Sequence, residues 1–246
     1  MRLSILTATA AAIIAISTAA QAQDNRFYVA GTLGSDTFDD ETISGANAAA
    51  QRRDINVEFD DGGYYGVALG LIGNEGRYGR IRGEVEASFR SADVEALMLN
   101  GVARSVVDGS EVSIASAMIN GFYDTPVYFD RLRFYAGAGL GVAGVDHEIR
   151  YLVANPLATG GNIQIIIPSS ETTVAYQFVG GAELALSPSW SLTADVRYFD
   201  VGDVQVERYI GNTIINGTAT NIGTLDSVLD ADLSSVTVSA GLRYRF

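Results

Sequence analysis

The chain has 246 residues, 48% hydrophobic, 18% charged and 9% aromatic, with 27 Gly and 4 Pro, which excludes a collagen-like or a disordered polypeptide. Its 16 basic residues, all Arg, stand against 29 Asp and Glu for a net charge of −13, which argues against nucleic-acid binding. Cys is absent, so disulfides, thiolate metal sites and Cys nucleophiles are excluded.

Arg2 precedes an apolar run around Ile13, Ile14, Ala15 and Ile16, and the segment closes on small residues at Ala20-Gln21-Ala22. This pattern predicts a secretory signal peptide over residues 1–22, leaving 23–246 as a single mature domain. Losing Arg2 leaves 15 basic against 29 acidic residues, a net charge of −14. No later stretch is long and apolar enough for a membrane helix, which takes roughly 20 residues.

From there the signal is alternation of apolar with polar or small residues, a period of two and therefore strand. Asn25–Gly34 and Gly63–Ile72 alternate loosely. Residues 80–90 alternate sharply, with Ile81, Gly83, Val85, Ala87 and Phe89 on one face and Arg80, Arg82, Glu84, Glu86, Ser88 and Arg90 on the other. Val112–Tyr123 and Leu132–Val145 follow, the latter with Phe134, Ala136, Ala138, Leu140 and Val142 opposite Tyr135, Gly137, Gly139, Gly141 and Ala143. Thr173–Leu186 is the sixth. In the seventh, Trp190, Leu192, Ala194, Val196 and Tyr198 interleave with Ser191, Thr193, Asp195, Arg197 and Phe199. In the last, Val236, Val238, Ala240, Leu242, Tyr244 and Phe246 alternate with Ser235, Thr237, Ser239, Gly241, Arg243 and Arg245.

The connections alternate in length. Long ones fall at 35–61, 92–111, 147–172 and 201–233, and short ones at 73–79, 124–131 and 187–189, the rhythm of an up-and-down barrel elaborated at one end. Asn100-Gly101 signals a two-residue hairpin turn inside the second long connection, and Ile163–Ile167 reads as a strand ending at Pro168. The acids Asp36, Asp39, Asp40, Glu41, Asp54, Glu58, Asp60 and Asp61 read as a solvated charge run.

Charged strand faces alone also fit a soluble sandwich with solvent outside. With an export signal, the inverse arrangement follows: an all-β, eight-stranded antiparallel up-and-down transmembrane β-barrel with its apolar face toward lipid and opposite charges paired in a narrow lumen. Such a lumen is filled by side chains. The expected fill is an ion-pair network of Arg82, Glu84, Glu86, Arg90, Glu183, Asp195, Arg197 and Arg243, with Arg133 and Arg245 beside it. Phe27, Tyr123, Phe134, Trp190, Tyr244 and Phe246 gather near the short turns and termini as one interfacial girdle, and Tyr65, Phe89, Tyr176 and Tyr198 form a second.

The signal peptide, the eight alternating segments and the closing Val236-to-Phe246 segment resemble the small outer-membrane β-barrel proteins of Gram-negative bacteria, OmpA/OmpX-like, in the opacity-type and alphaproteobacterial surface-antigen branch. The resemblance implies residence in the outer membrane among lipid and lipopolysaccharide, as a monomer. It also implies an assembly signal at Leu242, Tyr244 and Phe246 for the barrel-assembly machinery, and long external loops in a structural, adhesin-like role toward an extracellular ligand. The likeness to OmpA is expected to stop at the barrel, without a periplasmic peptidoglycan-binding domain after Phe246.

Some barrels of this kind are enzymes, so His147, the single histidine, needs testing. It lies in Asp146-His147-Glu148, where flanking carboxylates would raise its basicity in a polar, solvated loop. The deacylase spacing of a His two residues before Ser fails, since Ile149 occupies that place. A lone His with scattered carboxylates lacks zinc spacing, leaving weak Ca²⁺ binding by the acidic first loop as the remaining metal option. Gly137, Gly139, Gly141 and Gly144 lack the following helix that a dinucleotide site needs. The expectation is therefore a non-enzymatic barrel without cofactor or metal, with a small gated pore as first alternative and a lipid-modifying enzyme as second.

Overall fold

The computed structural model describes residues 26–47, 50–154, 162–215, 218–219 and 224–246. The signal peptide expected over 1–22 lies outside them. The strands are β1 (Phe27–Phe38), β2 (Glu41–Asn47), β3 (Arg52–Phe59), β4 (Gly62–Ile72), β5 (Arg80–Leu99), β6 (Val102–Val106), β7 (Glu111–Asp124), β8 (Leu132–Ala154), β9 (Asn162–Ala185), β10 (Trp190–Ile215), β11 (Thr218–Ala219) and β12 (Thr224–Arg245), all paired antiparallel. Eight of them make a ring in which β1 pairs β4, then β5, β7, β8, β9, β10 and β12 follow in turn, and β12 returns to β1. The ring has no open edge, which is what lets a sheet cross hydrocarbon.

The wall extensions expected at Asn100-Gly101 and Ile163–Ile167 are present, and extension is more general than expected, because most of the described residues of the long connections are wall. β2 prolongs β1 beyond a break at Asp39-Asp40 and pairs β12, while β3 leads into β4 and pairs β5. The two also pair with each other. β6 bridges β5 and β8 above β7. β10 reaches 26 residues, where about 9–11 suffice to cross a bilayer at a tilt. The hairpin expected at Asn100-Gly101 is present, with φ of 50° and 75° and Leu99 facing Val102. β9, by contrast, does not stop at Pro168. The pairs Ile149–Ile167 and Asp146–Ser170 on either side carry the ladder past the missing N–H.

Side-chain parity continues along the strands except at register shifts such as those on β5 and β10, but the chemistry on the two faces exchanges. On β5, Arg82, Glu84, Glu86, Ser88 and Arg90 are buried inside, while Ile81, Val85 and Phe89 are exposed outside. A few residues on, Ala92 and Val94 are the buried ones and Asp93 and Glu95 face out. A register shift opposite Glu58 and Phe59 then resets the parity, so that Leu97 and Leu99 also turn inward. β8 repeats the exchange, with Leu140 and Val142 outside and then Val145, His147, Ile149 and Tyr151 inside. β12 does so too, with Val236 and Val238 outside, then Leu233, Ala231 and Leu229 inside.

The molecule is thus an inside-out cylinder carrying a cap of ordinary polarity. The cap core joins Ile43, Ile55, Val57, Leu97, Ile114, Val145, Ile149, Tyr151, Ile165, Ile167, Val206 and Leu229, among others. Burying each large aliphatic chain contributes about 1.5–3 kcal/mol. Inward glycines make room in the lower cylinder: a Cβ on Gly70 would lie 2.0 Å from the Tyr28 ring, and one on Gly139 1.8 Å from Asn120 Oδ1.

The exchange of faces predicts opposite responses to one substitution type. Val196→Arg, on the lipid face, is expected to destabilise the barrel in vesicles by about 2–4 kcal/mol. Glu95→Arg, on the outer face of the cap, is expected to stay within about 0.5 kcal/mol. Urea titration of the two refolded variants checks both.

Candidate functional site

Tyr28, Tyr64, Asn120, Tyr135, Gln177, Asp195 and Arg197 reach the lumen because each alternates with lipid-facing neighbours on its strand. The eight residues expected as lumen fill are all buried, Arg90 at 0%, Arg82 at 1% and Glu84 the most accessible at 8%. They form three linked groups, with Arg90 set apart.

The central group is built on Arg197. Its Nη1 lies 2.6 Å from Glu86 Oε2 and its Nε lies 2.6 Å from Asp195 Oδ1. Glu86 also accepts from Tyr64 at 3.2 Å and from Gln177 at 3.3 Å, and Asp195 accepts from Tyr135 at 2.9 Å and Ser239 at 2.8 Å. Gln177 in turn donates to Asn120 Oδ1 at 2.8 Å.

Below it, Arg82 contacts Glu84 at 2.9 Å and Asp124 at 3.2 Å, and lies 4.0 Å from the Phe122 ring centre. Tyr28 donates to Glu84 and accepts from Arg82. At the short-turn end, Glu183 receives Arg243 at 2.7 Å and Arg245 at 2.9 Å.

Arg90 faces upward instead. It lies 3.4 Å from Asp36 without hydrogen-bond alignment and stacks 3.6 Å from the centre of Phe199. Asp36 is fully buried, contrary to its reading as part of a solvated charge run. Buried ions of this kind hold only while every partner is present. The space left among Arg82, Glu86, Asp195 and Arg197 is about 20 Å³, room for about one water.

Sequence reasoning missed Tyr28, Tyr64, Tyr135, Asn120, Gln177, Asp124 and Arg80 as network members. Parity was the available signal: each sits one residue from an outward apolar or glycine position.

His147 corrects a second expectation. It is not in a solvated loop: β8 carries it into the cap interior at 3% exposure, and Asp146 and Glu148 point outward. Burial dominates and lowers its pKa to about 4, against a smaller raising effect of Asp146. Across the chamber, Glu41 is likewise buried, not solvated, at 2% exposure. Burial, aided by Asp232, pushes its carboxyl up to about 8. The two face each other at 3.9 Å, and neither His147 nitrogen nor either Glu41 oxygen has a hydrogen-bond partner. Near neutral pH both groups are uncharged. Among the described residues no three His, Asp or Glu side chains converge to hold a metal ion.

The outward aromatics sit where interfacial girdles belong. Phe27, Tyr123, Phe134 and Trp190 are 39–48% exposed at the short-turn end, with Tyr244 stacked 4.9 Å from Trp190 and 5.4 Å from Phe246. Tyr65, Phe89, Tyr176 and Tyr198 are exposed at the level where the faces exchange. Leu242 faces outward at 50% exposure between the two levels.

A cylinder with an apolar outer band, an ion-paired interior and two aromatic belts defines an outer-membrane β-barrel. The chain belongs to the outer membrane protein beta-barrel domain family, whose model matches residues 7–246, and it resides in the bacterial outer membrane. Among solved structures it is similar to the outer membrane protein OprG from Pseudomonas aeruginosa, with 13% identity, 89% of this chain and 96% of that one covered, and a TM-score of 0.56. It is also similar to Neisserial surface protein A, at 16% identity, 89% and 97% coverage and a TM-score of 0.47. A third is the outer membrane protease OmpT from Escherichia coli, at 9% identity, 89% and 97% coverage and a TM-score of 0.47. No curated protein sequence matches the chain. At these identities the likeness concerns the fold.

Two outcomes are expected. Arg197→Met leaves Glu86 and Asp195 as uncompensated buried charges and should destabilise the barrel by about 3–5 kcal/mol. Adding Glu86→Leu and Asp195→Leu should recover most of that loss, as read by urea titration in vesicles.

The second concerns pH. The pKa of Glu41 rises from 4.5 to about 8 on burial, so its stabilising share is full below pH 4.5 and lost as pH climbs to about 8. The pKa of His147 falls from 6.5 to about 4, so its share is full above pH 6.5 and lost below. The two slopes cancel between 4.5 and 6.5. Cap opening should therefore become about tenfold easier per pH unit only from about 6.5 to 8. Amide exchange of β2 and β3 should show this in the native chain and lose it in Glu41→Gln.

Proposed function

We propose that the protein is a plugged, non-catalytic barrel that works through the outer surface of its cap, in a structural and adhesin-like role toward an extracellular ligand. The observation that carries this reading is the double seal along the axis. The ion pairs leave room for about one water among Arg82, Glu86, Asp195 and Arg197, and the apolar core of the cap lies above them. Transport through such an axis requires dismantling two packed layers, whereas the cap wall presents outward charges such as Asp93, Glu95, Asp146, Glu148 and Glu207 directly to the exterior.

A pore is the weaker reading, because a water path would have to separate Arg197 from both Glu86 and Asp195. An enzyme built on His147 is weaker still, since that side chain is enclosed beside Glu41 with no hydroxyl bonded to either nitrogen. Residues 1–22 act as the export signal, and 23–246 form the mature monomeric barrel domain among outer-membrane lipid and lipopolysaccharide. Leu242, Tyr244 and Phe246 serve as the signal to the barrel-assembly machinery. The lumen residues from Arg82 to Arg243 are structural fill.

Planar-bilayer recording tests the sealed axis: the native protein is expected to give no discrete current steps, and reproducible steps would refute it. Retention of protein-bearing vesicles on glycan- and matrix-coated surfaces tests the cap. Saturable retention, lost when Glu95 and Glu148 are changed to Arg in a heat-modifiable barrel, is the expected result, and absence of retention on every surface would remove the adhesin-like role.

A further inference from the structure

The short-turn mouth of the barrel holds a cluster of guanidinium groups whose donors the lumen network does not use up. Glu183 on β9 receives three of them: Arg243 at 2.7 Å, Arg245 at 2.9 Å and Arg80 at 3.5 Å. Arg133 stands beside them, 3.0 Å from Glu75 and donating to the Thr125 carbonyl at 2.6 Å. Glu75 is half exposed in the β4–β5 turn, so its charge is weakened by water. Arg80 and Arg82 already divide Asp124 between them.

Donors are left over. Arg80 Nη2, Arg82 Nη2, Arg243 Nε and Arg245 Nε are buried without an aligned hydrogen-bond partner, and Arg80 and Arg243 are only 8% and 4% exposed as residues. Of these four residues Arg245 lines a cavity of about 100 Å³ at the mouth, together with Arg131, Arg133, Glu183, Asp130 and Val127 among others. It is about five times the space left among the lumen ions, room for one small oxyanion. Buried donors with no partner call for an acceptor, and planar guanidinium forks match phosphoryl oxygens in particular.

We propose that this mouth is a binding site for a phosphoryl oxyanion, with Arg131, Arg133 and Arg245 as its recognising side chains and Glu183 as the built-in competitor that holds them in place. The anion is either free inorganic phosphate or the phosphodiester of a lipid headgroup from the adjoining leaflet. Lipid lies against the neighbouring ring of Phe27, Trp190 and Phe246, so a headgroup reaches the mouth without leaving the membrane. The site stands apart from the surface role proposed above and survives its failure.

The folded full chain in zwitterionic detergent, titrated calorimetrically with inorganic phosphate at constant ionic strength, provides the first arm. Native mass spectrometry from nanodiscs of mixed phosphatidylglycerol and phosphatidylcholine provides the second. Saturable phosphate binding without lipid selection assigns the free anion, and retention of phosphatidylglycerol that phosphate displaces assigns the headgroup. Arg245→Gln is expected to weaken either binding at least tenfold. Arg131→Gln, at an exposed turn position, should weaken it without touching the fold, and Glu183→Gln should tighten it. Heat-modifiability confirms that each variant is folded. Binding of neither probe above chloride and phosphatidylcholine controls, or affinity unchanged in folded Arg131→Gln and Arg245→Gln, overturns the proposal.

Discussion

A β-strand puts successive side chains on opposite faces, and that parity does not change when the surroundings do. In this protein the surroundings change halfway up. Each long strand leaves hydrocarbon at the level of Tyr65, Phe89, Tyr176 and Tyr198 and continues into water. The outward face must then pass from apolar to polar, and the inward face takes what the outward face gives up. The ion-paired lumen and the apolar cap core are two consequences of one wall crossing one boundary.

The two halves consequently hold together by different means. In the lower half the interior is mostly ionic, with only a small apolar cluster at Phe122, Tyr135 and Val179, so Arg197, Glu86 and Asp195 satisfy one another, with Tyr64, Tyr135 and Gln177 taking up remaining hydrogen bonds. A network of that kind contributes definition more than net stability, because desolvating its ions offsets much of their attraction. In the upper half Ile43, Ile55, Ile149 and their neighbours pack as in a soluble protein, and stabilisation follows apolar area. Glu41 and His147 face each other there and are kept uncharged by burial, while the buried Arg208 donates to Tyr151.

Much of this was legible in the residues. The segment 80–90 alternates so sharply that its lumen and lipid faces can be assigned by inspection, and the eight ionic residues read as lumen fill all lie inside. Ala92-Asp93-Val94-Glu95 alternates just as clearly, yet it reads as part of a connection, because its polar positions match the outward rather than the inward parity of the preceding strand. Breaks at Asp39-Asp40 and Asp60-Asp61, and the shift near Glu95, further interrupt the period over which alternation is recognised. The first long connection therefore reads as loop, and Glu41 within it and His147 at the start of the third are both assigned to solvent.

The sequence by itself determined the strand faces, the eight-membered count, the aromatic belts and the charge content of the lumen, since these follow from a local period of two and from residue type. Tertiary structure alone decided which arginine meets which distant carboxylate, that β2 and β3 extend the wall, and that Glu41 faces His147 inside the cap. Arg82 and Arg197 each meet one acid two residues away on their own strand, but Arg197 meets Glu86, and Arg243 meets Glu183, from distant parts of the chain, and those meetings depend on register, tilt and diameter, which no local pattern encodes.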